Sequence, residues 1–273
     1  ARYKIKIWRT ILSGPPFRSD MNTIIIDLTH FCDLSCIDCN RSCGRNQAPA
    51  MEIISVEQIR RFINESISTE KNWDKILLEG GEPTLHPDLN EIIHILLQYK
   101  LEYSKQCEIK ICTNGYSEKA KKLLSNPPAG ILVKSSGKSL QNNNGHIPFN
   151  IAPKDIPEYS MADFSHGCYI HYLYGLGLNR NGYYAHPICG SIDRIFGFDI
   201  GLKKIPNSPD EIGEQMSHLC SLCGHFRQYF HNNRHKLIAT GKKSENDLKG
   251  SCSVSWEDAY SAYKSSTPEL TLY

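Results

Sequence analysis

The sequence predicts an α/β fold in the form of a partial, TIM-like (β/α) barrel of about five to six parallel strands. Near-continuous β-branched runs such as residues 23–28 are typical of fully buried parallel strands. These runs alternate with segments in which apolar residues repeat at helical spacing. The alternation stops after residue 137, which indicates that the barrel ends before it closes. At 273 residues the chain is long enough for one large domain or two small ones.

Four strands and three helices can be placed in order. The predicted strands cover residues 23–28, 75–79, 108–112 and 131–137. Ser55 and Gln58 form a capping box that begins the first helix, Asp88 with Glu91 begins the second, and the third covers residues 117–124. Residues 147–151 are a predicted fifth strand, weakened by Pro148. The carboxyl ends of these strands are where an α/β barrel places its chemistry.

Charge and cysteine usage narrow the class of protein. Lys plus Arg number 31 against 29 Asp plus Glu, so the net charge of +2 gives no case for a nucleic-acid or membrane partner. An odd count of eleven cysteines, grouped at short spacings, favours thiolate–metal ligation over disulfides. Such ligation is typical of a reducing compartment, so we expect a cytoplasmic protein.

The loop after the first strand carries Cys32, Cys36 and Cys39 in the pattern C-x-x-x-C-x-x-C. Three thiolates at this spacing can hold three irons of a [4Fe–4S] cluster and leave the fourth iron open to another molecule. A structural zinc site is the alternative, since zinc sites also use short cysteine spacings. Cys43 lies close enough in sequence to complicate the count of ligands.

A second motif, Gly80-Gly81-Glu82-Pro83, follows the second predicted strand. Two glycines let a backbone approach a ligand closely, and the carboxylate can accept hydrogen bonds from an ammonium group. A Gly-Gly before Pro is by itself an ordinary turn. Its position one β–α unit after the cysteines favours a shared site, and this argues against zinc because a zinc site needs no second motif.

The cysteine triad, the G-G-E-P segment and Thr113-Asn114-Gly115 together resemble the signature of the radical S-adenosylmethionine (SAM) superfamily. The Asn-Gly pair alone is also an ordinary strand-end turn. The resemblance implies that the open iron chelates the amino and carboxylate groups of SAM. It implies these SAM contacts: Gly80, Gly81, Glu82 and Pro83 at the methionyl amino end, Thr113 and Asn114 near the adenosine, and Lys134, Ser135 and Ser136 near the carboxylate. The last three are equally typical of a solvated strand end.

A second cysteine set consists of Cys168, Cys189, Cys220 and Cys223. With the glycine turn at Gly182, its order resembles the twitch subdomain of radical SAM enzymes. The resemblance implies a second [4Fe–4S] cluster, fully ligated by these four cysteines. Five histidines crowd the same region, so a zinc site that uses the last two cysteines with histidine stays open: His166, His171, His186, His218 and His225. Structural hydrogen bonding is the ordinary role for each histidine.

The predicted organisation has four parts. Residues 1–22 are an N-terminal arm, 23–155 the partial barrel, 156–231 the twitch-like subdomain, and 232–273 a linker with a short helix at 256–263. The early end of the barrel resembles the shortened barrel of the superfamily's aminocyclitol alcohol dehydrogenases. The first strand begins near residue 23, and we expect this to leave no room for an N-terminal leader-binding domain.

The resemblance implies an enzyme that cleaves SAM reductively to a 5′-deoxyadenosyl radical and abstracts a hydrogen atom from its substrate. With a second cluster as electron acceptor, net oxidation such as alcohol to ketone is the leading expectation. The implied partners are an electron donor such as flavodoxin or ferredoxin and a small-molecule or peptide substrate. Candidate general bases are Lys154, Asp155, Asp163, His166 and Arg194, and Asp193 with Arg194 is a candidate polar pair for substrate recognition.

Three other functions stay open from the sequence. The same apparatus could mature a ribosomal peptide by a thioether or carbon–carbon crosslink. It could also epimerise a small molecule, with Cys107, Cys112 or Cys252 as the thiol donor; we expect the first two to pack as small apolar groups. A zinc-stabilised binding protein is the non-enzymatic alternative.

Overall fold

Six strands form one sheet in the computed structural model of the protein, which describes residues 19–43, 52–138, 149–227 and 251–273. The strands are β1 (Thr23–Thr29), β2 (Lys75–Gly80), β3 (Glu108–Thr113), β4 (Leu132–Ser135), β5 (Leu176–Asn179) and β6 (Gly182–Tyr184). Their order across the sheet is β4-β3-β2-β1-β5-β6; the first five are parallel, and β6 is antiparallel to β5. The predicted α/β fold, an incomplete barrel with a mostly parallel sheet, is confirmed.

Eight helices accompany these strands in the described part of the chain. They are α1 (Val56–Ser68), α2 (Leu89–Glu102), α3 (Glu118–Ser125), α4 (Tyr169–Tyr174), α5 (Pro187–Phe196), α6 (Gly213–Leu219), α7 (Gly224–Arg227) and α8 (Val254–Ser265). The capping box before α1 is present, with Gln58 N donating to Ser55 Oγ at 3.2 Å and Ser55 N donating to Gln58 Oε1 at 2.9 Å. Asp88 precedes α2, but its carboxylate makes no capping hydrogen bond.

The fifth strand lies elsewhere than the sequence predicted. Residues 149–151 are not in a strand, and residues 147 and 148 lie outside the described part. The fifth strand is β5, which pairs with β1 on the side away from β2. Phe149 and Ile151 are instead fully buried side chains of the core, where Phe149 packs edge-on against Trp256 with ring centroids 5.0 Å apart. Apolar character therefore predicted burial here, while the place beside β1 is taken by β5.

The described part of the predicted twitch-like region (156–231), residues 156–227, shares its sheet and core with the barrel. Strands β5 and β6 extend the barrel sheet, and Leu176, Leu178 and Tyr183 belong to the same buried cluster as Ile24 and Ile26. Helix α8 also packs on this core through Trp256. One continuous core therefore joins the two predicted parts.

The two faces of β2 and β3 differ in burial. Ile76 and Leu78 on β2 are fully buried on the face that packs into the hydrophobic core. The alternate positions, Glu79 on β2 and Lys110 and Cys112 on β3, are only partly buried. Because successive side chains of a strand point to opposite faces, the face of the sheet away from the hydrophobic core is polar at its carboxyl end. This is the end at which the cysteine motif begins.

Two predicted segments fall largely outside the described residues: the alternating stretch of the N-terminal arm at 3–8, and the linker over 232–250. The predicted final helix is present as α8. Within the described ranges, no helix is long and apolar enough to cross a membrane.

Candidate active site

The loop that follows β1, residues 30–43 and here termed the cluster loop, brings the first cysteine set together. Cys32, Cys36 and Cys39 line one cleft, and Cys39 interacts electrostatically with both of the other thiols. Burial raises the pKa of the Cys32 thiol to about 12. A thiol in this state is protonated at neutral pH, and only a strong local positive charge such as bound iron would deprotonate it.

The chemistry of the cleft fits both iron and SAM. Three soft thiolate ligands converge there, which suits an iron–sulfur cluster with one open iron. The walls carry a carboxylate, Glu79, and two cationic side chains, Arg41 and Lys138. Opposite charges beside the open position suit a molecule with an ammonium and a carboxylate group, as the methionyl end of SAM has.

Cys43 lies behind the cleft wall. Its side chain is 4 % exposed, its thiol donates to Arg41 O at 3.6 Å, and a hydrogen bond with Cys39 together with burial raises its pKa. Cys43 is not among the residues that line the cleft. Cys43 therefore contacts Cys39 from behind the cleft wall and does not itself face the cleft.

The Gly-Gly pair packs directly against the start of the cluster loop. Gly81 N donates to Thr29 O at 2.6 Å, and the next amide, Glu82 N, donates to Phe31 O at 2.9 Å. A Cβ at Gly81 would stand 2.1 Å from Phe31 O, and one at Gly80 would stand 2.3 Å from Thr29 O. Glycine is therefore required here by contact with the cluster loop itself, and both glycines line the cleft.

The carboxylate of Glu82 corrects one expectation from the sequence. It is fully buried, does not line the cleft, and accepts four hydrogen bonds. Its Oε1 accepts from Thr84 N at 3.1 Å, Thr84 Oγ1 at 2.7 Å and Thr113 Oγ1 at 2.7 Å, and Oε2 accepts from Asn114 N at 2.7 Å. A carboxylate so satisfied joins β2 to β3 and is not free to receive an ammonium group. Pro83 is buried as well.

Asn114 connects the third strand to the cluster loop. Its Nδ2 donates to Asp33 Oδ1 at 2.6 Å and lies 3.8 Å from Cys32 Sγ. Its Oδ1 accepts from Tyr116 N at 2.7 Å. Thr113 and Asn114 both line the cleft; their contact with SAM near the adenosine stays a prediction.

The end of β4 contributes differently from the prediction. Of the three predicted residues only Ser136 lines the cleft, held by its amide, which donates to Thr113 O at 2.8 Å. Lys134 and Ser135 are exposed and lie outside the cleft lining. Lys138, four residues beyond Lys134, lines it instead. The sequence alone does not show which of the residues at and after the end of β4 line the cleft.

A buried ion network that sequence reasoning missed lies on the wall of the cleft. Arg41 Nε donates to both carboxylate oxygens of Asp27, at 3.1 and 2.9 Å, and Nη2 donates to Glu79 Oε2 at 3.1 Å. Asp27 and Glu79 are register partners on β1 and β2, on the polar face of the sheet. The sequence feature that could have identified Asp27 and Glu79 is their position near the carboxyl ends of two neighbouring strands.

The two cysteines of β3 occupy different environments. Cys107 is fully buried, as expected for a small apolar group, whereas Cys112 lines the cleft. Burial raises the Cys112 pKa to about 11, and its charged neighbours are Glu79, Lys138, Glu82 and Arg41. Cys112 is therefore a protonated thiol within the cleft, and the expectation that it packs as an apolar group is wrong.

The second cysteine set converges inside the core. Cys168 caps α4, Cys189 lies in the first turn of α5, and Cys220 and Cys223 flank a 3₁₀ turn. None of the four is more than 9 % exposed. Cys220 hydrogen-bonds with Cys189 and interacts electrostatically with the other two, which raises its pKa. Four buried thiols that interact with one another fit a fully ligated cluster; their roles as ligands stay predictions.

The histidines near this set are structural or exposed, with one exception. His171 Nε2 lies 3.6 Å from Cys220 Sγ, and its Nδ1 pairs with Ala185 O at 3.0 Å. His186 caps α5 by accepting from Ile188 N, and His166 lies 3.4 Å from Asp163. Among the described residues, no three His, Cys, Asp or Glu side chains form a group that could hold a single metal ion.

The candidate bases and the candidate polar pair lie away from the cleft. None of the predicted bases lines it in the described part of the chain: Lys154, Asp155, Asp163, His166 and Arg194. Asp155 accepts from Ser255 instead. Asp193 and Arg194 do not pair, because Asp193 accepts from Tyr184 OH at 2.6 Å while Arg194 pairs with Glu52 at 2.8 Å. Both are buried, so they form no surface ion pair either.

Comparison with known proteins gives the family. Residues 26–134, which include the three motif cysteines, both glycines and Asn114, match the Radical SAM superfamily. The matched segment, which is less than half of the chain, is that of a radical SAM protein. The predicted family is thereby confirmed, and the motif cysteines, the G-G-E-P segment and the T-N-G segment all fall within the matched residues.

The curated relatives of this radical SAM chain include GTP 3′,8-cyclases. The enzyme of Aliarcobacter butzleri is 31% identical over 144 residues, which cover 52% of this chain and 41% of that protein. The enzyme of Nautilia profundicola is 29% identical over 142 residues, 51% of this chain and 41% of that protein. The chain thus spans about two fifths of the length of these relatives.

Among solved structures, BtrN in complex with AdoMet and 2-DOIA is similar with a TM-score of 0.43 and 10% sequence identity. The similarity covers 84% of this chain and 99% of BtrN.

Proposed function

We propose that this radical SAM chain cleaves SAM reductively and oxidises its substrate by hydrogen-atom abstraction. The observation that carries the proposal is the convergence of three separate motifs on one cleft, represented by Cys36, Gly81 and Asn114. When bound, the cluster and SAM supply a one-electron cleavage that gives a 5′-deoxyadenosyl radical able to take a hydrogen atom from carbon. The protein's part is to hold these groups together and to exclude water from them.

Oxidation of an alcohol to a ketone removes one hydrogen atom, one proton and one electron from the substrate. Glu79 is the residue of this chain that we assign to the proton, because its carboxylate lines the cleft and its side chain is 27% exposed. Arg41, bonded to Glu79 at 3.1 Å, holds that carboxylate in place. The second cysteine set would hold the group that accepts the electron, and its burial suits electron transfer without access for substrate.

The compartment and the electron source are part of the same proposal. All eleven cysteines are free thiols, which supports a reducing, cytoplasmic environment. The electron that starts each cycle would come from a donor such as flavodoxin or ferredoxin. The substrate would be a small molecule, with a peptide as the other class that the same chemistry serves.

Anaerobic reconstitution tests the proposal directly. Two clusters would give a brown protein with about eight irons per chain, whereas a colourless protein that contains zinc would support the binding-protein alternative. Reduced protein incubated with SAM is expected to yield 5′-deoxyadenosine, measured by liquid chromatography and mass spectrometry. Absence of that product after full reconstitution would overturn the proposal.

Epimerisation is a second candidate function, favoured by the position of Cys112 in the cleft. Its thiol is protonated at neutral pH, so its S–H bond can give a hydrogen atom to a carbon radical. The new C–H bond replaces the S–H bond, and the resulting sulfur radical regains one electron from the external donor and one proton from solvent. Net oxidation needs no such hydrogen return.

Deuterium distinguishes these two functions without a known substrate. In D₂O the Cys112 thiol exchanges to S–D, so SAM cleavage in the absence of substrate would give monodeuterated 5′-deoxyadenosine. Epimerisation predicts that Cys112→Ala loses this deuterium, while Cys107→Ala, a change at the fully buried cysteine of the same strand, keeps it. Equal deuterium content in both variants would remove the case for Cys112 as a donor.

A further inference from the structure

Three side chains from distant parts of the chain meet next to the cluster loop, the buried Arg194 and Tyr263 and the partly buried Glu52, here termed the Glu52 triad. Arg194 Nη1 donates to Glu52 Oε2 and to Tyr263 OH, both at 2.8 Å. Tyr263 OH in turn donates to Glu52 Oε1 at 3.0 Å. The Arg194 and Glu52 side chains are 4% and 12% exposed. Arg194 lies in the last turn of α5, and Tyr263 lies on α8.

The Glu52 triad is bonded to the cluster loop at both of its ends. Arg194 Nη2 donates to Arg41 O at 3.0 Å, two residues after the predicted ligand Cys39. At the start of the loop, His30 N donates to Glu52 O at 3.1 Å. Helix α8 adds a contact between Tyr260 OH and Ser42 Oγ at 3.0 Å.

The two sides of Arg41 are therefore fixed by different partners. Its guanidinium is bound by Asp27 and Glu79 on the sheet, while its carbonyl is bound by Arg194 from α5. A backbone held from both sides has little freedom to change the direction of Cys39. The loop is also closed on itself, because Ser42 N donates to Cys39 O at 2.8 Å.

Stability alone does not account for the Glu52 triad. A buried ion pair loses hydration that its own attraction seldom repays, and apolar residues of similar volume are often as stable or more stable. Arg194 Nε is moreover buried with no hydrogen-bond partner in the described part of the chain, which adds to this cost. What Arg194 adds is direction, because its planar guanidinium fixes the geometry of the bonds to Glu52, Tyr263 and the Arg41 carbonyl.

We propose that Arg194, held by Glu52 and Tyr263, is a positioning residue for the first cysteine set. It fixes the Arg41 carbonyl and so the direction of Cys39, and it does this from α5, the helix whose first turn carries Cys189. The two cysteine sets are thereby joined by one rigid helix. The consequence for SAM cleavage rests on the proposed function, whereas the ordering of the loop does not.

The test uses Arg194→Lys and Tyr263→Phe in the full, reconstituted protein. Lysine keeps the charge but cannot bond Glu52 and the Arg41 carbonyl with the same fork geometry. Tyr263→Phe removes one hydroxyl and keeps the ring. Tyr99→Phe is the matched control, since the Tyr99 hydroxyl donates to Lys71 O at 3.1 Å, far in sequence from the loop and from every cysteine ligand.

Two readouts separate positioning from general folding. Amide hydrogen exchange over residues 36–43 is expected to quicken about 10-fold in both triad variants and to stay unchanged in the control. The electron paramagnetic resonance spectrum of the reduced protein, with and without SAM, is expected to change, and SAM cleavage is expected to fall 10- to 100-fold, as is common for residues that orient metal ligands.

Each outcome decides the proposal. Unchanged exchange and an unchanged spectrum in a folded Arg194→Lys variant would overturn it. If that variant does not fold, Tyr263→Phe decides by the same two measurements. If the wild-type protein cleaves no SAM, the proposed function fails, yet the exchange measurement still reports whether Arg194 orders the loop.

Discussion

The first cysteine set lines a cleft with charged walls, whereas the second set lies inside the hydrophobic core. Around the first set, Arg41, Glu79 and Lys138 stand beside the thiols. Around the second set, the near neighbours of the cysteines are other cysteines, apolar side chains and His171. Cys32 and Cys39 are only partly buried, while all four members of the second set are buried.

This difference teaches what each region can do. A site that binds and releases SAM must be reached from solvent and must offer groups for an ammonium and a carboxylate. A site that only passes electrons is best kept closed, because water would change its potential. On the proposed function, the first set would serve exchange of a ligand and the second set storage of an electron, although α5 and one shared core join them.

The largest effect on SAM cleavage is expected from a substitution in the first cysteine set. Cys36→Ala removes one of three ligands at the open site, so SAM cleavage should fall below detection. Cys220→Ala should keep part of the cleavage and lose product, because its set lies outside the lining of the cleft. Cys43→Ala, a change behind the cleft wall, should keep cleavage. These are measured as 5′-deoxyadenosine formed per chain; equal and complete loss in Cys36→Ala and Cys220→Ala would contradict separate roles.

A second substitution disrupts the close contact between Gly81 and the cluster loop. Gly81→Ala places a Cβ 2.1 Å from Phe31 O, a backbone atom that cannot move aside cheaply. We expect a loss of about 3 kcal/mol in the free energy of unfolding, as for severe overpacking, together with loss of bound iron. The measurements are urea unfolding and iron content.

The control for Gly81→Ala is Gly213→Ala, at the start of α6. A Cβ there has one neighbour, Ser165 O, at 4.0 Å, so the change is expected to leave stability unchanged within about 1 kcal/mol. Equal stability of both variants would show that the close approach of β2 to the cluster loop is not needed.

Glu82→Gln is expected to lower the free energy of unfolding by less than Gly81→Ala does. The amide replaces one acceptor oxygen with a donor, which must then face a group that also donates, such as Asn114 N. Loss of hydrogen bonds to a buried charge should lower the free energy of unfolding by about 2 kcal/mol. Glu91→Gln, which breaks an exposed ion pair with Arg60, should cost less than about 1 kcal/mol. Urea unfolding of the pair checks this; equal losses would contradict the linking role of Glu82.

The smallest effect concerns the second region and pH. Burial, followed by the charges of His171 and Arg41, holds the pKa of His186 well below its usual value. In the unfolded chain His186 is protonated as the pH falls through about 6.5, whereas in the folded chain it stays neutral at this pH. The free energy of unfolding therefore decreases as the pH drops below about 6.5. The slope contributed by this group approaches about 1.4 kcal/mol per pH unit.

His186→Asn tests this slope, because asparagine can still cap α5 but does not titrate. Urea unfolding of the reconstituted protein between pH 6.5 and 5.5 should show a flatter dependence in this variant. The exposed His218→Asn should keep the wild-type slope. An unchanged slope in His186→Asn would show that His186 is not protonated differently in the two states.

Much of the fold could be predicted because its signals are local. The capping box at Ser55 and the apolar period after it specify α1, and the β-branched run of β1 specifies a strand buried on both faces. The fifth strand could not be predicted, because the short runs at 149–151 and in β5 are both apolar and only pairing with β1 distinguishes them. The lining of the cleft was also predicted only in part. The sequence placed Ser136 at the cleft, but it did not identify Arg41, Glu79 and Cys112 as lining residues.

The sequence by itself determined the family, the three motif cysteines and the order of the motifs along the chain, because cluster ligation depends on short spacings that a linear pattern records. Tertiary structure decided the rest. In the folded protein the Glu82 carboxylate links two strands, although the sequence predicted a contact with a ligand, and Cys112 lies in the cleft. It also joined Arg194 to the cluster loop across 153 residues, a contact that no local pattern encodes because it exists only once α5 packs against the sheet.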